Sequence, residues 1–321
     1  MPVIVVVLLF LLGLGLIIKG GDLFVDAATW IAEASGIPKF IVGATVVSLA
    51  TTMPELLVSL IAVMNGSYGM AIGNAVGSVT ANTGLIMGIS VFCIPAIIKR
   101  TEFAPKGILM VVACLLLWIA SLSGVLSTWG AILMLLLFIV FIAMNLKDAR
   151  ASMGTESAKS DVDKSRKTTI INIAKFVLGA AGTVVGARLL VDNASILARL
   201  IGIPESVIGV TLVAVGTSLP ELVTTITAIR KKQSELSIGN IIGANIIDLT
   251  VILPICSLIS GGQLPMLNQT LRLDLPVCLG IGLLAVVPTM IAGRFKRVQG
   301  IIMLCCYAVY VGVLCFGPQI I

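Results

Sequence analysis

Long runs of apolar residues fill most of this 321-residue chain and restrict the folds open to it. Residues 3–18, 108–122 and 131–144 are examples. The hydrocarbon core of a bilayer, ~30 Å thick, is crossed by about 20 apolar residues in helical form. With 58% hydrophobic and 11% charged residues, the chain carries more apolar surface than one soluble core would bury. The alternating polarity of membrane β-strands is lacking. The sequence therefore predicts an all-α membrane protein.

The apolar runs divide into ten predicted transmembrane helices. The first run begins without a basic segment and continues without a small-residue cleavage site, so we interpret it as a spanning helix and not as a signal peptide. The ten predicted spans are residues 3–33, 39–64, 70–97, 106–123, 129–146, 168–198, 205–229, 236–259, 272–291 and 298–316.

Basic residues segregate between alternate loops of this ten-helix layout. One set of loops holds only Arg199 and Arg272. The other set holds Lys39, Lys99, Arg100, Lys106, Lys147, Arg150, Lys159, Lys164, Arg166, Lys167, Arg230, Lys231, Lys232, Arg294, Lys296 and Arg297. Because cytoplasmic loops are enriched in lysine and arginine, the second set is predicted to be cytoplasmic and both termini to lie outside. The basic residues of the cytoplasmic loops thus explain the net charge of +6, which therefore does not indicate nucleic-acid binding.

The two halves of the chain are related by a shift of 166 positions without a gap. The repeated motifs include a Gly-Ile-Pro triplet, a long polar and apolar segment that ends in Pro-Glu, and a Gly-Asn-x-x-Gly motif. The aligned segments are 36–38 with 202–204, 43–55 with 209–221, and 73–77 with 239–243. One register held over these distances indicates an internal duplication.

The duplication predicts three regions: a first repeat at 1–146, a polar cytoplasmic linker at 147–167 and a second repeat at 168–321. Each repeat contains five predicted helices. Because five is an odd number, the second repeat enters the membrane from the opposite side, and the repeats are inverted. Inverted repeats of this kind place a shared site near the midplane and are typical of secondary transporters.

Two acidic residues at repeat-related positions, Glu55 and Glu221, lie in the middle of predicted spans. A charged side chain at the bilayer centre costs at least ~2.5–3.5 kcal/mol on insertion scales, so something must compensate it. A structural carboxylate, protonated or paired with a basic residue, is one explanation. The basic residues inside the predicted spans, Lys19, Lys175 and Arg188, are not placed at midplane depth, which favours a mobile cation.

Each glutamate follows a proline and a pair of hydroxyl residues. Pro54 and Pro220 remove backbone donors, which frees the carbonyls near Ala50 and Gly216. The hydroxyls lie three and four residues before each glutamate, on the same helical face; they belong to Thr51, Thr52, Thr217 and Ser218. Such oxygen ligands, in a chain without histidine, suit Na⁺, Ca²⁺ or Mg²⁺ and disfavour zinc and copper.

The next helix of each repeat carries a second polar position, Asn82 in the first repeat and Asp248 in the second. Asn82 offers a neutral oxygen, and Asp248 adds a third acid that binds an ion or holds a proton. Asn74 and Asn240 belong to the Gly-Asn-x-x-Gly motifs, for which helix packing is the favoured role over direct ligation. The seven cysteines are interpreted as packing residues.

The segments Ala-Thr-Thr-Met-Pro-Glu at 50–55 and Gly-Thr-Ser-Leu-Pro-Glu at 216–221 resemble the two α-repeats of the calcium/cation antiporter superfamily, in particular its prokaryotic sodium/calcium exchangers. The resemblance covers essentially the whole chain. It implies a transporter in the plasma (inner) membrane of a prokaryote, whose sites accept either one Ca²⁺ or several Na⁺.

The resemblance also implies roles for individual residues. The central calcium ligands would be Glu55 and Glu221, assisted by oxygens of Thr51 and Thr217. The sodium sites would be lined by Thr52, Ser218, Ser48 and Ala214, the last through its backbone oxygen. A middle site would be completed by Asn82 and Asp248, with Ser78 beside them.

Three departures from the family pattern leave the sodium stoichiometry and the coupling ion open. Ala50 replaces the usual glycine, Thr52 replaces the usual serine, and Ala244 stands where a serine is frequent. Proton-coupled calcium exchangers belong to the same superfamily, but they usually carry Asn-Ala before the acidic region in place of Ser-Leu-Pro. The motif here favours sodium over protons.

The sequence thus predicts an antiporter that exchanges Ca²⁺ for Na⁺, with H⁺/Ca²⁺ exchange as the alternative. A passive cation channel would use the same ligands, but inverted repeats and kinked helices disfavour it. An intramembrane aspartyl protease would need a pair of aspartates that share a proton, whereas the paired acids of this chain are glutamates accompanied by hydroxyl residues. No phosphate-binding glycine loop indicates ATP, and neither an enzymatic activity nor a cofactor is expected.

Overall fold

The computed structural model describes residues 2–95, 99–153, 162–200, 216 and 218–316. Its helices are α1 (Val3–Ser35), α2 (Lys39–Thr51), α3 (Met53–Met64), α4 (Tyr68–Cys93), α5 (Arg100–Ala120), α6 (Thr128–Met153), α7 (Arg166–Leu200), α8 (Leu219–Arg230), α9 (Ser234–Ile259), α10 (Thr270–Ala292) and α11 (Arg297–Phe316). Two short strands, β1 (Val125–Ser127) and β2 (Gln263–Pro265), pair antiparallel with Leu126 opposite Leu264.

Most of these helices are long and apolar enough to cross a bilayer. In the described ranges, eight meet this criterion alone, and the bent pair α2 and α3 makes a ninth. The chain is therefore a multi-pass helical membrane protein, as predicted. The predicted span 205–229 lies partly outside the described residues, which include its C-terminal part as α8. Helix α6 extends to Met153, past the predicted end at 146, and its last turns carry polar residues of the predicted linker.

The second span is not one straight helix. Helices α2 and α3 meet at Thr52 and are bent by 43°. Pro54 lies in the first turn of α3, where its missing N–H does not interrupt a helical hydrogen bond, so the break falls just before it. Ser218 precedes α8 in the same way, with Pro220 in the first turn of that helix. The break at Thr52 and the start of α8 both place helix ends among buried residues.

The interior of the bundle is formed by α4 and α9. In their spanning segments, 72% and 83% of the residues are buried, compared with 22–28% in α1, α6, α7 and α11. In α9 every residue from Leu236 to Ile247 is buried. Gly239 and Gly243 lie against the backbone of α2, near Phe40 and Ala44, where a Cβ atom would not fit. The inner helices therefore carry the polar side chains away from lipid.

Helices α1 and α7 pack against each other through glycines. A Cβ atom added to Gly20 would lie 2.6 Å from the Thr183 nitrogen and 2.9 Å from the Gly179 oxygen. One added to Gly13 would lie 2.9 Å from the Gly186 oxygen. Because Gly13 meets Gly186 while Gly20 meets Gly179, the two helices run antiparallel. Small residues at such crossings let helix backbones approach closely, which favours van der Waals packing in lipid.

A buried lysine differs from the sequence prediction. Lys106 was assigned to a basic loop, but the structure places it inside α5 with a fully buried side chain. It pairs with Asp148 of α6 and lies 5.6 Å from the ring centroid of Phe40. Paired charge and the aromatic face compensate its desolvation. At the end of α8, Lys231 forms a 2.8 Å ion pair with Asp26 of α1.

We predict that Gly20→Val destabilises the protein, whereas Gly15→Val does not. Valine at position 20 would push α1 away from the backbone of α7, and overpacking of this kind costs about 1–3 kcal/mol. An added Cβ at Gly15 meets nothing within 4 Å, so this variant controls for the β-branched side chain. Thermal unfolding in detergent measures the difference. Equal melting temperatures for the two variants would contradict the glycine-mediated packing.

Candidate cation-binding site

The two repeat-related glutamates lie at the N-terminal ends of two helices, α3 and α8. Glu55 is in the first turn of α3 and Glu221 is in the first turn of α8. Their exposed fractions are 1% and 0%. A helix N-terminus carries a partial positive charge, which favours a carboxylate there. The break therefore positions each glutamate and also offsets part of the cost of its burial.

The second polar pair lies at a matching irregularity in the two inner helices. Asn82 begins a π-helical turn in α4, Asn82–Met87, and Asp248 begins another in α9, Asp248–Ile252. Both side chains are buried. A π-helical turn leaves the regular hydrogen-bond ladder, and such turns occur frequently at functional sites. The two repeats thus have a π-helical turn that begins at the same aligned position.

The three buried acids lie within electrostatic range of one another. Glu55 interacts electrostatically with Glu221 and Asp248, and Asp248 interacts with Glu221. In the described part of the chain, no salt bridge includes any of the three. The arrangement concentrates negative charge in a region that excludes water, which makes it a strong attractor for cations.

Unpartnered oxygen atoms concentrate at the same place. Across the described residues, eight of the eleven buried side-chain oxygens without a hydrogen bond belong to the residues Thr52, Glu55, Asn82, Glu221 and Asp248. Buried polar groups in folded proteins nearly always have partners, so a cluster of exceptions needs an explanation. All of these atoms can donate electron pairs to a cation.

Several hydroxyls predicted as ligands surround the acids. The Thr51 hydroxyl donates to the Asn240 amide oxygen at 3.2 Å, and Ser218 donates to the Ser78 hydroxyl at 3.2 Å. Ser48 is fully buried and donates to the Thr45 carbonyl at 3.1 Å. Thr217 and Ala214, which the sequence also indicated, lie outside the described residues.

Sequence reasoning gave Asn74 and Asn240 a packing role, but both form hydrogen bonds next to the site. Asn74 donates to the Glu55 carbonyl at 3.1 Å and to the Ser59 hydroxyl at 2.9 Å. Asn240 accepts from Thr51 and donates to the Thr224 hydroxyl at 3.3 Å. The presence of the asparagine in both repeats was the sequence signal for a role at the site, because close helix packing by itself requires only the flanking glycines.

The chemistry of the site is that of oxygen ligands. Within the described ranges, no group of three or more histidine, cysteine, aspartate or glutamate side chains is close enough to hold a metal ion by itself. All seven cysteines are free and make no metal cluster there. Hydroxyl, amide and backbone oxygens would therefore have to complete any cation shell that the acids begin, as is usual for Ca²⁺ and Na⁺ but not for zinc.

Buried acids at helix ends in the interior of a multi-pass helical bundle are typical of ion transporters. The family model described as sodium/calcium exchanger protein matches residues 5–147 and 171–316. The chain belongs to the sodium/calcium exchanger family, as its repeat motifs predicted. Members of this family are transporters and not enzymes.

Individual relatives agree with this assignment. An uncharacterized membrane protein of Methanocaldococcus jannaschii is 33% identical over 310 residues, which cover 96% of this chain and 97% of the relative. The sodium/calcium exchanger MaX1 of Methanosarcina acetivorans is 31% identical, with 96% and 97% covered. A solved structure of the sodium-calcium exchanger NCX_Mj, soaked with Na⁺ and Sr²⁺, superposes with a TM-score of 0.84 and 31% identity over 97% of this chain and 99% of that one.

We predict that Asn74→Ala weakens Ca²⁺ binding about 3- to 10-fold, because it removes two hydrogen bonds that fix the first turn of α3 and hence Glu55. Binding of ⁴⁵Ca²⁺ to the purified protein measures the change. Asn193→Ala is the control, since the Asn193 amide donates to the Leu189 carbonyl of its own helix, at 2.7 Å. An unchanged affinity in Asn74→Ala would mean that this asparagine serves packing alone.

Proposed function

We propose that this protein is a secondary antiporter that exchanges Ca²⁺ for Na⁺ across the membrane, with the buried acids as the shared site. The cluster of unpartnered oxygens around Glu55, Glu221 and Asp248 carries the proposal. Three neighbouring carboxyl groups cannot all be ionised in the bilayer interior unless positive charge accompanies them. A bound cation supplies that charge and satisfies the oxygens.

The ligand chemistry supports Ca²⁺ as the divalent substrate. Ca²⁺ takes six to eight oxygen ligands in flexible geometry, whereas Mg²⁺ requires a near-ideal octahedron and retains its waters. Glu55 and Glu221 would be the central ligands, with oxygens of Thr51 and Thr217 beside them. Several Na⁺ ions would neutralise the same acids, at subsites lined by Ser48, Thr52, Ala214 and Ser218. A middle site would be completed by Asn82 and Asp248, with Ser78 beside them. Because Ca²⁺ and Na⁺ compete for the same acids, the site holds one kind of ion at a time. This competition couples the Ca²⁺ flux to the Na⁺ flux.

Alternating access would follow from two inverted repeats of five spans each, ten in all. Three pairs of features support this organisation. The contacts Gly13 with Gly186 and Gly20 with Gly179 exchange with each other under the 166-residue shift. The helix starts after Thr52 and Ser218 exchange in the same way, and so do the π-helical turns at Asn82 and Asp248. A twofold relation of this kind lets the two halves exchange conformations around a fixed site.

The same proposal includes the placement in the membrane. The repeats would be residues 1–146 and 168–321, joined by the linker 147–167. Because the basic residues fall on one side, that side and the linker would be cytoplasmic, with both termini outside. The prokaryotic relatives favour the plasma membrane as the location.

H⁺/Ca²⁺ exchange is the second candidate, and Asp248 is the observation that favours it. Its repeat-related position holds the neutral Asn82, so the site has one acid more than symmetry requires. A buried carboxyl group is a natural proton carrier. The two candidate functions differ in the ion gradient that drives calcium transport, which is a Na⁺ gradient in the first and an H⁺ gradient in the second.

The coupling ion is tested with protein reconstituted in liposomes. We predict that an outward Na⁺ gradient drives ⁴⁵Ca²⁺ uptake, whereas an outward H⁺ gradient without Na⁺ does not, because sodium and calcium compete for the same acids. Uptake with the proton gradient alone, lost in Asp248→Asn, would establish the second candidate. Uptake that needs neither gradient would indicate a channel, and no uptake under any condition would reject calcium as the substrate.

We also predict that Glu55→Gln and Glu221→Gln each reduce Na⁺-driven Ca²⁺ uptake by at least about 100-fold, since each removes a charge that balances the divalent ion. Glu235→Gln is the matched control, because Glu235 is a partly exposed acid at the start of α9, away from the helix breaks. Transport by either site variant at the control rate would remove the glutamates from the site. Size-exclusion profiles establish that all three variants fold.

A further inference from the structure

The last two helices, α10 and α11, leave a groove between them. One part of it, about 510 Å³ in volume, extends from Leu273 and Val313 to Leu284. A second part, about 200 Å³, extends from Leu284 to Lys296. Because Leu284 lines both parts, they adjoin, and we call them together the α10/α11 groove. Only 22% of the spanning segment of α11 is buried, so the groove opens towards lipid.

The groove follows the axes of the two helices. The residues that α10 contributes are three or four positions apart and hence on one helical face: Leu273, Val277, Gly280, Leu284 and Pro288. Helix α11 contributes residues at similar spacing between Val298 and Val313. At 1.5 Å per residue, the distance along α10 from Leu273 to Pro288 is ~22 Å, most of the ~30 Å hydrocarbon core. This shape is suited to an extended acyl chain.

Hydrogen bonds between and beside the helices give the groove a preformed, apolar wall. Pro288 has no N–H to donate to the Leu284 carbonyl one turn earlier. The Gln299 amide of α11 donates to that carbonyl instead, at 2.7 Å, and so joins the helices where the two parts of the groove meet. Tyr310 also lines the groove, but its hydroxyl donates to Asp274 at 3.0 Å. The polar groups of the wall are thus satisfied within the protein.

The end of the groove that Lys296 lines is basic. Arg294 and Arg297 lie within two residues of Lys296, and all three are exposed. Arg100 of α5 donates to the Ile291 carbonyl, near the end of α10, at 2.5 Å. Among the residues that the structure describes, none of these four basic side chains belongs to a salt bridge. Basic pockets between transmembrane helices on the cytoplasmic side are suited to negatively charged lipid headgroups.

We propose that the α10/α11 groove binds one anionic phospholipid, with an acyl chain along its apolar part and the phosphate at Lys296. Charge complementarity selects this occupant, because a zwitterionic headgroup has no net charge to offset the basic end. A second copy of the chain, related by a twofold axis along the membrane normal, would bring two basic ends to the same side, where they repel. The inference uses the proposed membrane placement and is independent of the proposed exchange.

Gly280→Leu tests the proposal by filling the groove. A Cβ atom added to Gly280 meets no neighbouring atom within 4 Å, so the protein itself has room for the substitution. The purified, delipidated protein is mixed with phosphatidylglycerol or phosphatidylcholine, and native mass spectrometry measures the lipid-bound fraction. We expect the unsubstituted protein to bind phosphatidylglycerol about fivefold more tightly than phosphatidylcholine. Gly280→Leu should weaken phosphatidylglycerol binding at least about fivefold, because the leucine overpacks the occupied groove.

Gly312→Leu is the matched control. A Cβ atom added to Gly312 also meets nothing within 4 Å, and this glycine of α11 does not line the groove. Its affinity for phosphatidylglycerol should stay within about twofold of that of the unsubstituted protein.

Lys296→Gln tests the headgroup contact separately from the chain. We expect this variant to lose the roughly fivefold preference for phosphatidylglycerol and to bind phosphatidylcholine as before, because the acyl chain still fits the groove. Lys167→Gln, at an exposed lysine in the first turn of α7, is the control for removing a positive charge elsewhere.

Several outcomes would overturn the proposal. They are equal affinity of the unsubstituted protein for the two lipids, equal weakening in Gly280→Leu and Gly312→Leu, and a preference that survives in Lys296→Gln. A dimer that Gly280→Leu dissociates would identify a second copy as the occupant instead. Should Gly280→Leu not fold, Val309→Trp fills the groove from α11, where Val309 is 66% exposed, and unchanged phosphatidylglycerol binding would be equally decisive.

Discussion

Three buried carboxyl groups, which form no ion pair with the described residues, are the constraint on which the rest of the structure depends. Lipid cannot solvate Glu55, Glu221 or Asp248, and the protein holds all three in its interior. The two most buried spans, α4 and α9, carry Asn82 and Asp248, and the helix breaks bring the glutamates to the same place. The outer helices have to face lipid and are correspondingly apolar.

Irregular backbone is what makes this arrangement possible. A straight helix satisfies its own carbonyls and presents only side chains, whereas the break at Thr52 and the π-helical turns at Asn82 and Asp248 free backbone groups in the interior of the bundle. Non-helical backbone is tolerated in a membrane only where protein surrounds it or a polar site uses it. The glycines of α9 allow α2 to approach closely enough to enclose these groups.

Much of the fold and half of the site follow from the sequence. Apolar run lengths predicted the spans that the structure describes, and the 166-residue register indicated which polar positions belong together. The hydrogen bonds of Asn74 and Asn240 could not be predicted, because a Gly-Asn-x-x-Gly motif does not say whether its asparagine faces a neighbouring helix or the site. The burial of Lys106 was missed for a related reason, since a lysine at the end of a span is normally solvated.

The sequence by itself determined the membrane environment, the duplication and the oxygen chemistry of the candidate ligands, because these depend on composition and on positions along the chain. Only the tertiary structure decided which oxygens have partners. Ser218 has the Ser78 hydroxyl within hydrogen-bonding distance, whereas Thr52 interacts with the Glu221 carboxyl group, although the two residues occupy equivalent positions in the repeats. Such differences arise between helices that are distant in sequence, and a hydrogen bond depends on distances and angles that only the packed bundle fixes.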